Sequence, residues 1–397
     1  MHAAGVPGYK DEPVGAYARS RAVERVAELA SHGHDLVRFW QEATLAIAPA
    51  VPFYVTPCFY TLDPASLLAT SHYHEGLAEI PHEWLDVEYY QDDYNKLADV
   101  ARSPRGVATL HDATDGDVGR SKRYRVAMAP MGSDQEVLTA LRTRTGQAWG
   151  ILALYRETGQ PRFDAAEIDC LRSLSTHLAE GARRGLLIGE ARDPAGPEAP
   201  GLIVVGDDGE VESATAGVER WLDDLPDGDW RAGRLPAAVV AVAGRALRAA
   251  RHLDDSGEIA FSRVLSRSGR WIVLHGAPLV WDGCRRSAVI VEAAHPAKIT
   301  PLLMSAYGLT EREQDVTRLV LQGDATTDIA RQLSLSPHTV QEHLKNIFEK
   351  TGVRSRRDLV GKIFFSHYEP RVRDNERRVG DGLQVRGGPM TDRERTT

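Results

Sequence analysis

The side chains best suited to chemistry at a polar surface fall between Ser336 and Arg357. Ser336 followed by Pro337 is a helix-start signal: a serine hydroxyl satisfies an open backbone N–H, and proline sits where no intrahelical bond is lost. With Val340, Leu344, Ile347 and Phe348 turned inward at helical spacing, His338, Thr339, Gln341, Glu342, Lys345 and Asn346 turn outward. That outer set suits base edges and phosphates. Glutamine matches the adenine N6/N7 pair, glutamate accepts from cytosine N4, and lysine grips phosphate. Arg354, Arg356 and Arg357 cluster just beyond and offer further phosphate contacts. The plainer alternative is that Glu342 pairs with Lys345 three residues on and points past any ligand.

Other constellations carry less. His72 and His74 alternate onto one face of a strand, with Glu75 and His111 as possible partners. Two imidazoles at that spacing can share a metal, but no second clear pair accompanies them, so no metal site is expected. Cys58, Cys170 and Cys284 lie far apart and form no CxxC pair, which argues against a disulfide framework or a structural zinc site and fits a reducing cytosol. Cys58 reads as a small core residue rather than a chromophore attachment point. The stretch "LIVVGDDGEV" (202–211) ends in a hairpin signal at Asp208-Gly209, not in the acidic pocket of a phosphoacceptor. No nucleophile, base and orienting group assemble, and there is no Gly-rich nucleotide loop, so the sequence supports no enzymatic role.

Nine of the 27 aromatic residues fall between Phe53 and Tyr94. Such a concentration suits an apolar pocket with polar tips, and Tyr54, Tyr60, Trp84, Tyr90 and Tyr94 are its candidate lining. Rings that only fill a core are the alternative. The cofactor, if one exists, is not indicated.

The elements that must position these groups follow from periodicity. The chain has 397 residues, 42% hydrophobic and 26% charged, which is ordinary for a globular protein of two to four domains. Residues 1 to 17 read as frayed, and a helical period runs from Ala18 to Ala48, broken near "SHGHD". Residues 51–63 and 66–74 read as strands, 81–103 as a helix, and 136–157 as two strands about Thr145-Gly146. Residues 163–191 form a long helix whose stripe Ile168, Leu171, Leu174, Leu178 suggests either a dimer seam or packing on its own sheet. The segment 191–200 is a Pro-rich linker. A second module spans 201–296: a strand, the Asp208-Gly209 turn, helices at "ATAGVERWLDDL" and "LPAAVVAVAGRALRAA", and three more strands. Helices follow over 300–367, with Thr310 and Glu313 as a capping box, Gly323 as a stop, and a fourth helix opening at Ser355 with Asp358. The charged segment 369–397 has the composition of a disordered tail.

No run of about 18 apolar residues occurs, so no membrane span is expected. "MHAAGVPGYKDEPVGAY" lacks a secretory apolar core, and a cytoplasmic location is expected. The net charge is −8, yet residues 300–367 hold nine Lys/Arg against eight Asp/Glu. Non-specific attraction to nucleic acid is therefore weak, and the local field on one face decides.

Residues 309–360 resemble the LuxR-type (GerE-like) helix-turn-helix domain through Leu309, Thr310, Arg312, Glu313, Gly323, Ile329, Ala330, Leu333, Ser336, Thr339, Val340, His343, Ile347, Lys350, Gly352, Val353, Arg356 and Leu359. Two positions depart: Gln341 stands where a basic residue is usual, and Ala325-Thr326 where a polar pair is common. Residues 18–190 resemble a GAF sensor domain through the stretches "RTRTGQAWGILALYRE" and "RFDAAEIDCLRSLSTHLAEGARRGLL"; the stretch from 201 resembles the start of a PAS-like domain. The implied fold is α+β: two α/β sensor domains followed by an all-α four-helix module. The implied protein is a one-component transcription factor of actinobacterial type that binds double-stranded DNA as a homodimer, with a small-molecule ligand in the GAF-like domain. Alternatives are an acyl-homoserine-lactone receptor, through Trp84, Tyr90, Tyr94 and Asp99, or a ligand-free interaction scaffold.

Overall fold

The computed structural model describes residues 12–32, 34–74, 82–188, 200–251, 260–281, 284–294, 296–360 and 362. The linker at 191–199, Glu75 and the 369–397 tail lie outside them.

Two helices, α1 (Glu12–Ser31) and α2 (Leu36–Ile47), lead the chain. The start of α1 precedes the Ala18 marked by periodicity because its first turns bury little: Tyr17 is largely exposed. Next come β1 (Cys58–Leu62), β2 (Ala69–Tyr73), α3 (His82–Tyr90), α4 (Leu97–Arg102), β3 (Val107–Thr109), the single turn α5 (Leu110–Ala113), β4 (Ser133–Arg142), β5 (Ala148–Glu157) and α6 (Ala165–Ile188). The strand expected over 51–63 is confined to β1, since Pro52 and Pro57 have no N–H to donate to a ladder. The helix expected over 81–103 is two helices. Its break is held from afar: the Asp93 carboxylate accepts from Ser121 Oγ at 2.9 Å, Lys122 N at 3.1 Å and Arg123 N at 2.8 Å. Asn95 there has φ 50°, a conformation that cannot continue a helix.

The five strands pair antiparallel in the order β2-β1-β5-β4-β3. Alternation splits their side chains. Leu152 and Leu154 face α1, α2 and α6, while Ile151, Ala153 and Tyr155 face α3 and α4. Trp40 of α2 stacks on Phe59 of β1, centroids 4.3 Å apart. Gly181 of α6 allows α2 to approach, for any Cβ there would overlap the Phe39 ring. The stripe on α6 is spent in this core: Leu171, Leu174 and Leu178 are fully buried against their own sheet and α1, with Ile168 partly buried beside them. It is therefore not a dimer seam.

The second unit contains β6 (Gly201–Gly206), β7 (Val211–Ala214), the single turn α7 (Glu219–Leu222), α8 (Ala237–Arg251), β8 (Phe261–Leu265), β9 (Trp271–Trp281) and β10 (Cys284–Ala293). Its strand order, β7-β6-β10-β9-β8, repeats that of the first sheet. Asp208-Gly209 makes the β6–β7 turn, with Gly209 at φ 87°. The helix expected from Ala214 is shortened to α7 because Gly217 takes φ 86°.

The two units share one hydrophobic cluster, in which Leu68, Trp84 and Tyr89 of the first join Val239, Val240 and Leu274 of the second. The Asp63 carboxylate, fully buried, accepts from Arg263 Nε and Nη2 at 2.7 Å and from Arg263 N at 3.0 Å. His72 Nδ1 lies 2.9 Å from Asp227 Oδ2, so the histidine considered for a metal is engaged across the junction instead.

Helix α9 (Pro296–Ala306) wedges between the units and the C-terminal module. Its Ile299, Leu302, Leu303 and Ala306 pack with Trp149 of β5 and Trp271 and Val273 of β9. After α9 come α10 (Glu311–Leu321), α11 (Thr326–Gln332), α12 (Pro337–Thr351) and α13 (Arg356–Val360). No helix among the described residues is long and apolar enough to cross a membrane.

Candidate nucleic-acid interface

Helix α12 is fixed at both ends by local chemistry. Ser336 Oγ accepts the Thr339 N–H at 3.0 Å, Pro337 opens the first turn, and Gly352 closes the helix at φ 66°. Val340, Leu344 and Ile347 are buried in a small core with Met304, Leu309, Val316, Val320, Ile329 and Leu359. Leu359 is buried in the same core.

The neighbouring helices hold α12 at a set angle. At the start of α10, Thr310 Oγ1 accepts the Glu313 N–H at 3.3 Å, and Glu313 Oε2 accepts the Thr310 N–H at 2.7 Å. The same Glu313 carboxylate meets Lys350 Nζ of α12 at 2.6 Å. Arg312 donates to the Leu333 carbonyl at 2.6 Å, gripping the α11–α12 turn, in which Ser334 takes φ 54°. Ala325, at the N-cap of α11, has no side chain able to cap. Arg356 supports that end instead, donating to the Asp324 carbonyl at 2.7 Å and to Thr326 Oγ1 at 3.3 Å. Arg356 is therefore a positioning group rather than a free phosphate contact. Lys350 and Arg312 were not marked as positioning residues by the sequence, since each acts through a partner distant in the chain.

His338, Gln341, Glu342, Lys345 and Asn346 are exposed on the outer face of α12 in the full chain, and Arg354 and Arg357 are exposed beside it. Ser336 is exposed, with its hydroxyl spent on capping; Thr339 is half-buried and its Oγ1 lies 2.8 Å from Ser336 Oγ. Glu342 forms no ion pair with Lys345 among the described residues. Among the described residues neither front unit covers this face; the first meets α9 instead, where Arg183 of α6 donates to the Ala306 carbonyl and Gln147 Nε2 to Ser305 Oγ at 3.2 Å. A cleft of about 640 Å³, bordered by Thr143, Arg184, Tyr307 and Lys350, separates the rest.

The five aromatic residues proposed as a pocket lining do not meet in one cavity. Tyr60 and Trp84 are buried and stacked, centroids 5.3 Å apart. Tyr90 packs against the Gly209 turn of the second unit, Tyr94 lies under Arg120 at 5.3 Å, and Tyr54 is exposed. Tyr60 and Trp84 are thus engaged in core packing and Tyr90 at the junction with the second unit. Beneath them Arg123, fully buried, sits 2.7 Å from Glu136 and 3.4 Å from Glu88. Burial pushes the Glu88 carboxyl up to about 7, against the pull of Arg123.

The bacterial regulatory proteins of the luxR family match residues 308–362, the whole of the α10–α13 module. The chain belongs to this family through that module. The spore germination protein GerE of Bacillus subtilis is 40% identical over 55 residues, 14% of this chain and 74% of that protein. HTH-type transcriptional regulators of Mycobacterium bovis and Mycobacterium tuberculosis are 50% identical over 52 residues, 13% of this chain but only 6% of theirs. The transcriptional regulatory protein UhpA of Escherichia coli is 43% identical over 56 residues, 14% of this chain and 29% of that protein. The solved bacteriophytochrome RpBphP3 of R. palustris aligns over 44% of this chain and 38% of that chain at 14% identity and TM-score 0.28, too low to bear on the fold.

Proposed function

We propose that the protein is a transcriptional regulator whose helix α12 enters the DNA major groove, with the two front units acting as GAF-like and PAS-like sensors. One observation carries the DNA reading. The inner face of α12 is locked by capping, core packing and the Glu313–Lys350 pair, while its outer face is polar, exposed and left open by the other described residues. A helix held this way presents Gln341, Glu342 and Lys345 as a rigid set, which is what base readout requires. Lys345 and Arg354 supply phosphate contacts, Gln341 and Glu342 read base edges, and Arg356 supports the start of α11.

The repeated strand order of the two sheets supports the sensor reading. Binding as a homodimer to two half-sites, about one helical turn apart, would compensate for the weak net charge of the module. The α6 stripe does not provide the dimer contact. The acyl-homoserine-lactone alternative is disfavoured, because Trp84, Tyr90, Tyr94 and Asp99 are dispersed and the first two are packed. Coupling runs through α9, which is buried against both units and leads directly into α10.

The test is selection of the full-length protein on a random duplex library, followed by footprinting. Enrichment of a two-fold symmetric site protected at two major-groove faces is expected. Failure to enrich any sequence would reject the proposal.

A further inference from the structure

A cleft of about 90 Å³ lies where α3 and α4 meet α8 of the second unit, and Glu88, Tyr89, Lys96, Arg102, Arg245 and Arg248 line it. Lys96 is only 7% exposed, and its Nζ has no hydrogen-bond partner. An ammonium taken out of water without a partner is costly, and a chain normally either pairs it or exposes it. The adjacent acids do not repair this. Glu88 Oε1 accepts the Leu97 N–H at 2.8 Å and Oε2 faces Arg123 at 3.4 Å. Asp92 and Asp99 stand 3.7 Å from Arg248 and 3.8 Å from Arg102. Burial draws the Lys96 pKa down and the charge of Arg248 adds to it, while Glu88 and, more weakly, Asp92 and the cleft-lining Asp99 oppose it. Like charges from the two units therefore converge on one small space: Lys96 from the first, Arg245 (itself 9% exposed) and Arg248 from the second.

We propose that this cleft is an oxyanion site, taking the carboxylate or phosphoryl group of a small metabolite, with Lys96 Nζ as the inner contact and the α8 arginines closing from the other side. The volume equals about three water molecules at roughly 30 Å³ each, which suits one such group and excludes an aromatic ligand. Charge-assisted bonds to an oxyanion satisfy the orphaned ammonium and offset the repulsion between lysine and arginine. An anion there bridges the two units whose junction supports α9. Its regulatory meaning rests on the sensor reading above, but its existence does not.

The experiment is a thermal melt of the full-length protein without DNA, titrated with inorganic phosphate and, separately, acetate, each against sodium chloride at matched ionic strength. The wild type should rise in midpoint with one or both beyond the chloride control. A response to phosphate alone assigns a phosphoryl ligand, and a response to acetate alone a carboxylate. Lys96→Met should lose the response, a weakening of about tenfold or more for one lost charge-assisted contact, while Lys96→Arg should keep most of it. If Lys96→Met does not fold, Arg248→Gln at the cleft rim serves the same comparison. No midpoint shift beyond chloride for either anion, or an equal shift in wild type and the charge-removed variant, overturns the proposal. Because no DNA is present, that outcome leaves the DNA-binding reading standing, and failed DNA binding leaves this shift unaffected.

Discussion

Lys350, in the last turn of α12, places its Nζ 2.6 Å from the Glu313 carboxylate in the first turn of α10. One side chain thus caps α10 and anchors the far end of the reading helix. Burial opposes the Glu313 charge, but the Lys350 hydrogen bond, the Thr310 N–H and the lysine charge outweigh it and hold the carboxyl below its usual range.

Glu313→Gln should destabilise the module by about 1–3 kcal/mol, combining a lost cap with a weakened ion pair. Hydrogen exchange over residues 310–360 reads this directly. The sign with pH follows from the depressed value: the contribution is present above the unfolded carboxylate pKa, about 4.3, and fades as pH falls through the lower folded value. The wild-type advantage over the variant should therefore shrink below about pH 4. A constant difference down to strong acid would contradict the pairing.

Leu174→Ala should cost about 2–5 kcal/mol, as for a fully buried leucine whose site collapses incompletely. Sedimentation should show no change in assembly. A halved mass with stability retained would restore α6 as a dimer seam and contradict its placement in the core.

Asp63→Asn removes the carboxylate charge that faces the Arg263 guanidinium at the junction of the two front units, at a cost of about 3–5 kcal/mol for breaking a buried pair. Calorimetry should show the loss as poorer cooperativity, with the units unfolding in separate steps. A single transition with an unchanged midpoint would mean the pair does not couple them.

What could be read from the sequence is what short-range chemistry decides. The Thr310–Glu313 box, the Ser336-Pro337 start and the Asp208-Gly209 turn stand where their spacing places them, because each signal and its partner lie within a few residues. The break between α3 and α4 was not legible: "QDDYNK" contains neither glycine nor proline, and the groups that hold Asp93 come from residues 121–123. Periodicity identified the apolar stripe of α6 but carries no information about which surface receives it. Clustered aromatic residues likewise cannot distinguish a pocket from the packing that fills it, and Tyr60 on Trp84 fills it. The Lys96 cleft had no sequence signal, since its cations come from positions some 150 residues apart.

The most direct measurement is the salt dependence of binding to the selected duplex by the full-length protein and its Lys345→Ala and Gln341→Ala variants. Lys345→Ala should weaken binding to every sequence and reduce the slope of log K against log salt by about one. Gln341→Ala should leave the slope intact and cost about 1–3 kcal/mol at one or two base pairs, relaxing preference there. If both variants match the wild type in affinity, slope and preference, α12 does not lie in the groove and the proposed function is wrong.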